Sequence, residues 1–251
     1  MANLAQVRRL EAVSFRSFPA NSTHYDGTWA IRLTAGHPAK RLNSVNPLDP
    51  SDHAYIEARI ELARKKFEQF GRPLVFRQSP LVPPELEETL DKMGWERFDE
   101  SSVMLLNLDN LDSDEFDVPS LEHDVGKWVD GFIKLSDEES SSKPGLVEVI
   151  SAIQPKSGMF MKYSDGREIA ALRCVQDNDL AGVFDVVTSK HNLRQGHSKM
   201  LVGSALRWAK EQGAKIAWLQ VVSDNEAAVR LYESFGFEEF YRYSYRRSGN
   251  G

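Results

Sequence analysis

Two segments in the second half of the chain hold residue types whose spacing suits ligand chemistry. The first is NLRQGHSKM, Asn192 to Met200, between a buried-strand pattern and a helical one. Such a junction leaves the first helical N–H groups without partners and aims the positive end of the helix dipole at one spot, the chemistry of a phosphate site. Gly196 lets the backbone approach a pyrophosphate with no Cβ in the way, and Arg194, His197 and Lys199 add donors and positive potential. By itself, one glycine at a helix start also serves as a plain turn. The second segment is NEAAVRLYESFGF, Asn225 to Phe237. Asn225 and Tyr232 are two helical turns apart and share one face, with the small Ala228 between them leaving room for a ligand. Taken alone, Tyr232 reads more readily as core and Asn225 as part of a helix cap.

A carboxylate adds a third feature. Asp185 stands in the apolar run GVFDVV, where an unpaired charge is costly, so it either has a partner such as Arg173 or faces a cleft.

The elements that must position these residues are legible from periodicity. Helical patterns cover Leu121–Ser136 and Leu146–Ile153. Short strands follow at Met159–Tyr163, Glu168–Gln176 and Leu180–Thr188, with tight turns between them, which predicts an antiparallel meander. Gly196–Gln212 places Leu201, Ala205, Trp208 and Ala209 on one helical face and stops at Gly213. Ile216–Val222 reads as a buried strand, so strand, helix and strand imply a right-handed unit with parallel strands. A further helix is expected from a Ser223/Glu226 capping box to Gly236, and a last strand, Glu238–Tyr245, completes that sheet.

The first half echoes this order. Strands are expected at Thr28–Thr34 and Arg41–Val45, a helix at Asp52–Phe70 and a strand at Leu74–Gln78, then a helix at Pro84–Met93 and a strand at Glu96–Leu108. The match of ELEETLDKMGWERFDESSVMLL to AAVRLYESFGFEEFYRYSYR points to an internal duplication. Between the halves, NLDNLDSDEFDVPS marks a boundary, giving domains at 1–110 and 121–251 with an acidic linker at 111–120.

Composition narrows the function. With 251 residues, 41% hydrophobic and 27% charged, the chain is an ordinary globular one. A net charge of -6 gives no general drive toward nucleic acid. The first thirty residues interleave charge with apolar residues, so neither a signal peptide nor a membrane span is expected, and the cytoplasm is the expected location. The single Cys174 suits a reducing compartment and reads as a small buried hydrophobe. The histidines show no metal-binding spacing, so no metal site is expected.

Read together, the motifs say more. A strand entering an (R/Q)-x-x-G-x-(G/A)-like loop and helix, then a strand, then N-x-x-A-x-x-L-Y-x-x-x-G-F, resembles the GNAT superfamily of N-acetyltransferases. The resemblance spans about residues 157–246. It implies acetyl-CoA as co-substrate and transfer of acetyl to the amine of a small molecule, amino acid or peptide. By motif position, the backbone of Val186, Val187 and Thr188 would pair with the pantetheine arm between two splayed parallel strands. Arg194, Gln195, Gly196, His197, Ser198 and Lys199 would hold the pyrophosphate. Asn225, Ala228 and Tyr232 would flank the thioester, with Tyr232 as acid and Asp185, or a water, as base.

Two positions depart from the pattern. Leu193 replaces Arg or Gln, removing a polar side chain, and Ser198 replaces Gly or Ala, adding a hydroxyl that can reach a phosphate.

The whole chain is also similar to tandem GNAT proteins with a degenerate first domain, on the strength of WAIRL and KRLNSV within Trp29–Val45 and the closing YRYSYR. The implied fold is α/β (α+β), two tandem GNAT-like domains, each a mixed, mostly antiparallel twisted sheet flanked by helices. PLDPSDHAYIEA stands where the first domain's phosphate loop should be and lacks the glycine, so that copy is expected not to bind CoA. Acceptor contacts are expected from Trp29, Arg41, Asn43 and Ser44, and from Arg173. A monomer or homodimer is expected. The reading from another class is a non-catalytic acyl-CoA-binding regulatory or interaction protein.

Overall fold

The computed structural model describes residues 3–112, 115–118 and 121–249. The chain divides into two compact units, Met1–Ser102 with Phe240–Gly251, and Val103–Glu239.

The first unit opens with α1 (Leu4–Ser17), capped by Asn3, whose side-chain oxygen accepts from the Ala5 and Gln6 N–H groups. Strands β1 (Ser22–Asp26), β2 (Trp29–Leu33) and β3 (Ser44–Pro47) form an antiparallel meander. The strand expected from Arg41 starts only at Ser44, because Lys40–Leu42 is a turn of 3-10 helix. Asn43 fixes that turn by accepting from the Thr34 N–H and donating to the His37 and Ala39 carbonyls. Then come α2 (Ile56–Gln69), β4 (Val75–Gln78), α3 (Pro84–Lys92) and β5 (Glu96–Asn107). Helix α2 begins at Ile56 rather than Asp52. The Asp52 carboxylate accepts from the Thr28 N–H at 2.7 Å and from Arg59 at 2.9 Å instead of capping the helix.

The second unit begins its regular structure with α4 (Val125–Leu135) and α5 (Lys143–Ser151). Its helix α4 starts later than Leu121 because Asp124 is the cap, accepting from the Lys127 N–H at 2.9 Å. The meander β6 (Lys156–Ser164), β7 (Arg167–Asp177) and β8 (Leu180–Thr188) follows, antiparallel as expected. Helix α6 (His197–Glu211) leads to β9 (Ile216–Val222), which runs parallel to β8, and then to α7 (Glu226–Glu233). Leu172 and Cys174 of β7 and Ala181 and Val183 of β8 form a buried core with Leu201, Val202, Ala205 and Leu206 of α6. Of the stretch expected as a linker, Ser113, Asp114, Pro119 and Ser120 lie outside the described residues. Its Leu111 and Phe116 belong to the second unit: their carbonyls accept from Lys210 and Arg207, and the Phe116 ring packs on Phe235.

The last strand, β10 (Glu238–Arg247), corrects the sequence reading. From Phe240 it belongs to the first unit, antiparallel to β4 with Tyr245 opposite Arg77. Strand order is β1-β2-β3-β4-β10 in the first unit and β9-β8-β7-β6 in the second. The reason is a buried polar network. Arg77 donates to both oxygens of Glu11 at 3.0 and 2.9 Å, and the Tyr241 hydroxyl donates to the same carboxylate at 2.7 Å. The Arg77 guanidinium also lies 3.3 Å from the centroid of the Tyr243 ring. A buried charge pair is tolerable only when its remaining hydrogen-bonding capacity is met, and the tyrosines of β10 supply that.

Along the chain, α1 to β5 runs helix, three antiparallel strands, helix, strand, helix, strand, and α4 to β10 repeats that order with a second helix, α5, after the first. Among the described residues no helix is long and apolar enough to cross a membrane, and no group of three or more His, Cys, Asp or Glu is arranged to hold a metal.

Candidate functional site

The site begins where β8 stops pairing with β9. Their parallel register runs from Leu180 opposite Ile216 to Val183 opposite Leu219, and no pair extends it among the described residues. At the same point the β7–β8 register shifts between Ala171 and Arg173, a bulge that puts Asp185 in the left-handed region at φ 56°. A bulge adds twist and turns the strand away from its neighbour. The β8 backbone beyond Val183 therefore presents hydrogen-bonding groups to the opening between the strands.

Asp185 itself does not line that opening. Its carboxylate accepts from Nε of Arg173 at 2.9 Å, and Arg173 is fully buried in β7 with its guanidinium 4.9 Å from the Phe184 ring centroid. Of the two environments open to Asp185 in the sequence, the structure shows the paired one.

The loop after β8 turns through Arg194 and Gly196, at φ 60° and 80°, into α6. No side chain caps α6, so the N–H groups of its first turn face outward. A Cβ built on Gly196 would meet nothing within 4 Å. The glycine thus supplies the turn and leaves open space in front of the helix end. The Thr188 and Ser198 hydroxyls bond at 2.7 Å, tying the end of the strand to the first turn of the helix. Ser198 spends its hydroxyl on that bond. Nδ1 of His197 is buried with no partner among the described residues.

Helix α7 closes the far side. Asn225 caps it, accepting from the Ala228 N–H at 3.1 Å, in place of the Ser223 expected from the capping box. Tyr232 is 7% exposed and packs edge-on against Phe237. Burial pushes its phenol up to about 12, so it stays protonated at neutral pH.

These parts enclose a cleft of about 570 Å³. Of the sequence-derived residues, it brings together Val186, Val187, Thr188, Arg194, Gly196, His197, Ser198, Lys199, Asn225, Ala228 and Tyr232. Gln195 stands outside it, bonded to the His191 carbonyl and the His197 ring. Asn192, Ala227 and Leu231 line the cleft and were not singled out from sequence. Leu231 stands three residues after Ala228 and four after Ala227, so the helical period alone could have found them.

The first-unit residues expected to contact an acceptor are engaged within their own unit. Trp29 is fully buried, edge-on to Phe76, with the Arg59 guanidinium 4.0 Å from its ring centroid. Asn43 and Ser44 are buried at the turn described above, and Arg41 stacks on Phe18 at 4.8 Å.

Residues 4–246 match one family model, described as "Probable histone acetyltransferase Rv0428c C-terminal". The chain belongs to this acetyltransferase family, within the GNAT superfamily. An N-acetyltransferase of Bacillus subtilis (strain 168), YobR, is 26% identical over 96% of this chain and 98% of its own length. The [ribosomal protein bS18]-alanine N-acetyltransferase of Escherichia coli (strain K12) is 34% identical over 61 residues, 24% of this chain and 41% of its own. In fold, the chain is similar to a GCN5-related N-acetyltransferase from Kribbella flavida (TM-score 0.71, 18% identity, 97% of this chain and 96% of that one). It is also similar to a tandem GNAT protein from the clavulanic acid biosynthesis pathway (TM-score 0.66, 15% identity, 96% and 88%). The chain is therefore an N-acetyltransferase with two tandem GNAT-like domains, and its acceptor is an amine. Within this GNAT acetyltransferase, the cleft between β8, α6 and α7 combines an uncapped helix start with a protonated phenol. Cys174 is fully buried and its thiol is pushed up to about 12 by burial, so it offers no thiolate nucleophile.

Proposed function

We propose that the second unit binds acetyl-CoA in the β8–α6–α7 cleft and transfers its acetyl group to the primary amine of a small molecule, amino acid or peptide. The observation that carries this reading is the convergence of an unpaired strand edge, an uncapped helix start and a buried phenol on one cleft. The chemistry fits the group. Unpaired N–H groups at His197, Ser198 and Lys199 suit a pyrophosphate, helped by the side chains of Arg194 and Lys199 and by Nδ1 of His197. The free edge of Val186–Thr188 suits an amide-bearing arm, as a strand suits a strand.

When bound, acetyl-CoA supplies an acetyl thioester whose thiolate, with a pKa near about 8.5, is a fair leaving group. A backbone N–H at Val186 stabilises negative charge on the carbonyl oxygen. Tyr232 holds its proton at Oη and delivers it to the departing sulfur, which makes it helpful rather than indispensable. Asp185, held by Arg173, fixes the bulge that presents Val186. Water then accepts the amine proton.

The first unit does not carry this chemistry. Where its helix α2 begins, Tyr55 takes the cap position, Glu57 occupies the first turn and the Asp52 carboxylate already fills Arg59 and Thr28. Two relatives have names that specify polypeptide acceptors, a histone and the alanine of a ribosomal protein. A peptide amine therefore leads the acceptor panel.

The test is calorimetric titration with acetyl-CoA of the wild type and of Gly196→Glu, whose side chain would fill the space before α6. One-site binding lost in the variant while it still unfolds cooperatively supports the reading and opens an amine screen by thiol release. Wild type that does not bind, or a variant that binds equally well, would sink it.

A further inference from the structure

The first unit holds a second cleft, of about 520 Å³, on the opposite end of β4 from the position that matches the acetyl-transfer cleft. It lies at the carboxyl end of α2, against the α2–β4 turn and the end of β10. Its size is that of a small-molecule site.

Four cations converge on it from separate parts of the sequence: Lys40, Arg64, Arg72 and Arg247. Glu68 is the one carboxylate lining the cleft. This is a conspicuous excess in a chain of net charge -6. Cations brought together around one cavity repel each other, and a fold that keeps them there gains when an anion sits among them.

Their anchoring leaves this charge available. Arg72 donates to the Ala35 and Thr34 carbonyls at 2.5 and 3.5 Å and has no carboxylate partner among the described residues. Two backbone oxygens orient its guanidinium without neutralising it. Phe98 fixes two more cations through its ring: Arg247 stands 4.7 Å and Lys40 5.5 Å from the centroid, and Lys40 also pairs with the exposed Asp99 carboxylate. The acids near Arg64 and Arg247 are Glu61 at 3.4 Å and Glu96 at 3.6 Å. Both are more than half exposed, so water screens them and an incoming anion displaces them at little cost.

We propose that this cleft binds a small anion with two or more adjacent negative groups, a pyrophosphate-like or polycarboxylate compound, through paired oxygens on Arg72 and Arg247. Forked guanidinium donors match such oxygens two at a time. The site is separate from the acetyl-transfer cleft, so the first unit has a ligand of its own.

The experiment titrates the full chain, free of acetyl-CoA, with inorganic pyrophosphate and separately with citrate. One-site binding of either probe is expected, weakening as salt rises. The response tells a phosphate ligand from a carboxylate one. Arg247→Glu, at an exposed position, and Arg72→Glu should each weaken binding more than tenfold with the melting temperature held, whereas Gly196→Glu should leave it unchanged. No binding of either probe overturns the proposal. So does binding that Gly196→Glu removes and Arg247→Glu spares, since the anion then sits at the start of α6.

Discussion

Tyr232 and Asp185 divide the chemistry by environment. Tyr232 lines the cleft with its proton held by burial, at a pKa of about 12. Tyr232→Phe should lower turnover roughly tenfold to a thousandfold with acetyl-CoA affinity nearly unchanged, measured by steady-state kinetics beside calorimetry. Because the phenol stays protonated, its ionisation should not limit the alkaline side of the pH–rate profile in the ordinary assay range. Turnover equal to wild type would return Tyr232 to a packing role. Asp185 is already engaged by a fully buried arginine. Asp185→Asn should therefore leave the shape of the pH–rate profile in place and destabilise the protein by about 3 kcal/mol in denaturant titration, since it removes a carboxylate paired with the buried Arg173. An acid limb that vanishes in this variant would instead make Asp185 the base.

At the scale of elements, the junction of β8 with α6 decides whether the cleft keeps its shape. The Thr188 and Ser198 hydroxyls bond across it. Ser198 stands where the motif that the chain resembles has Gly or Ala, and the hydroxyl finds a structural use rather than a free one. Thr188→Val and Ser198→Ala should each cost about 1 kcal/mol and weaken acetyl-CoA binding several-fold. The double variant should be no worse than either single one, because both remove the same bond. Additive losses would mean that the two hydroxyls act on the ligand separately.

For the whole molecule, the polar interior of the first unit sets its response to acid. Burial by itself raises the Asp52 pKa, but hydrogen bonds from Arg59 and from the Thr28 N–H and hydroxyl outweigh it and hold Asp52 at about 2. A folded-state pKa below the unfolded one, near about 3.9, adds stability that is complete above that value and lost as pH falls toward 2. The first unit should thus lose protection across this window, followed as amide exchange in α2. Asp52→Asn should flatten that loss. A wild-type profile unchanged by the substitution would remove Asp52 as the cause.

Much of this was written in local pattern. Strand β8 and strand β9 lie at the residues that periodicity predicts, because a half-buried strand and a buried one must show their faces in sequence. The Asn225–Tyr232 face was legible for the same reason, and the cleft's glycine and cations from their place between a strand pattern and a helical one. The alternating tyrosines of YRYSYR were visible too, but not what they face. That β10 sits against β4, with its tyrosines around Glu11 and Arg77, depends on residues more than 160 positions apart. Spacing offered Arg173 as a partner of Asp185 and Asn225 as part of a cap without deciding either, and it did not place Trp29 in the core. Sequence by itself determined the periods, the caps on offer and the motif that names the family. Tertiary structure decided the partners, because a polar group's role follows from what burial leaves within its reach.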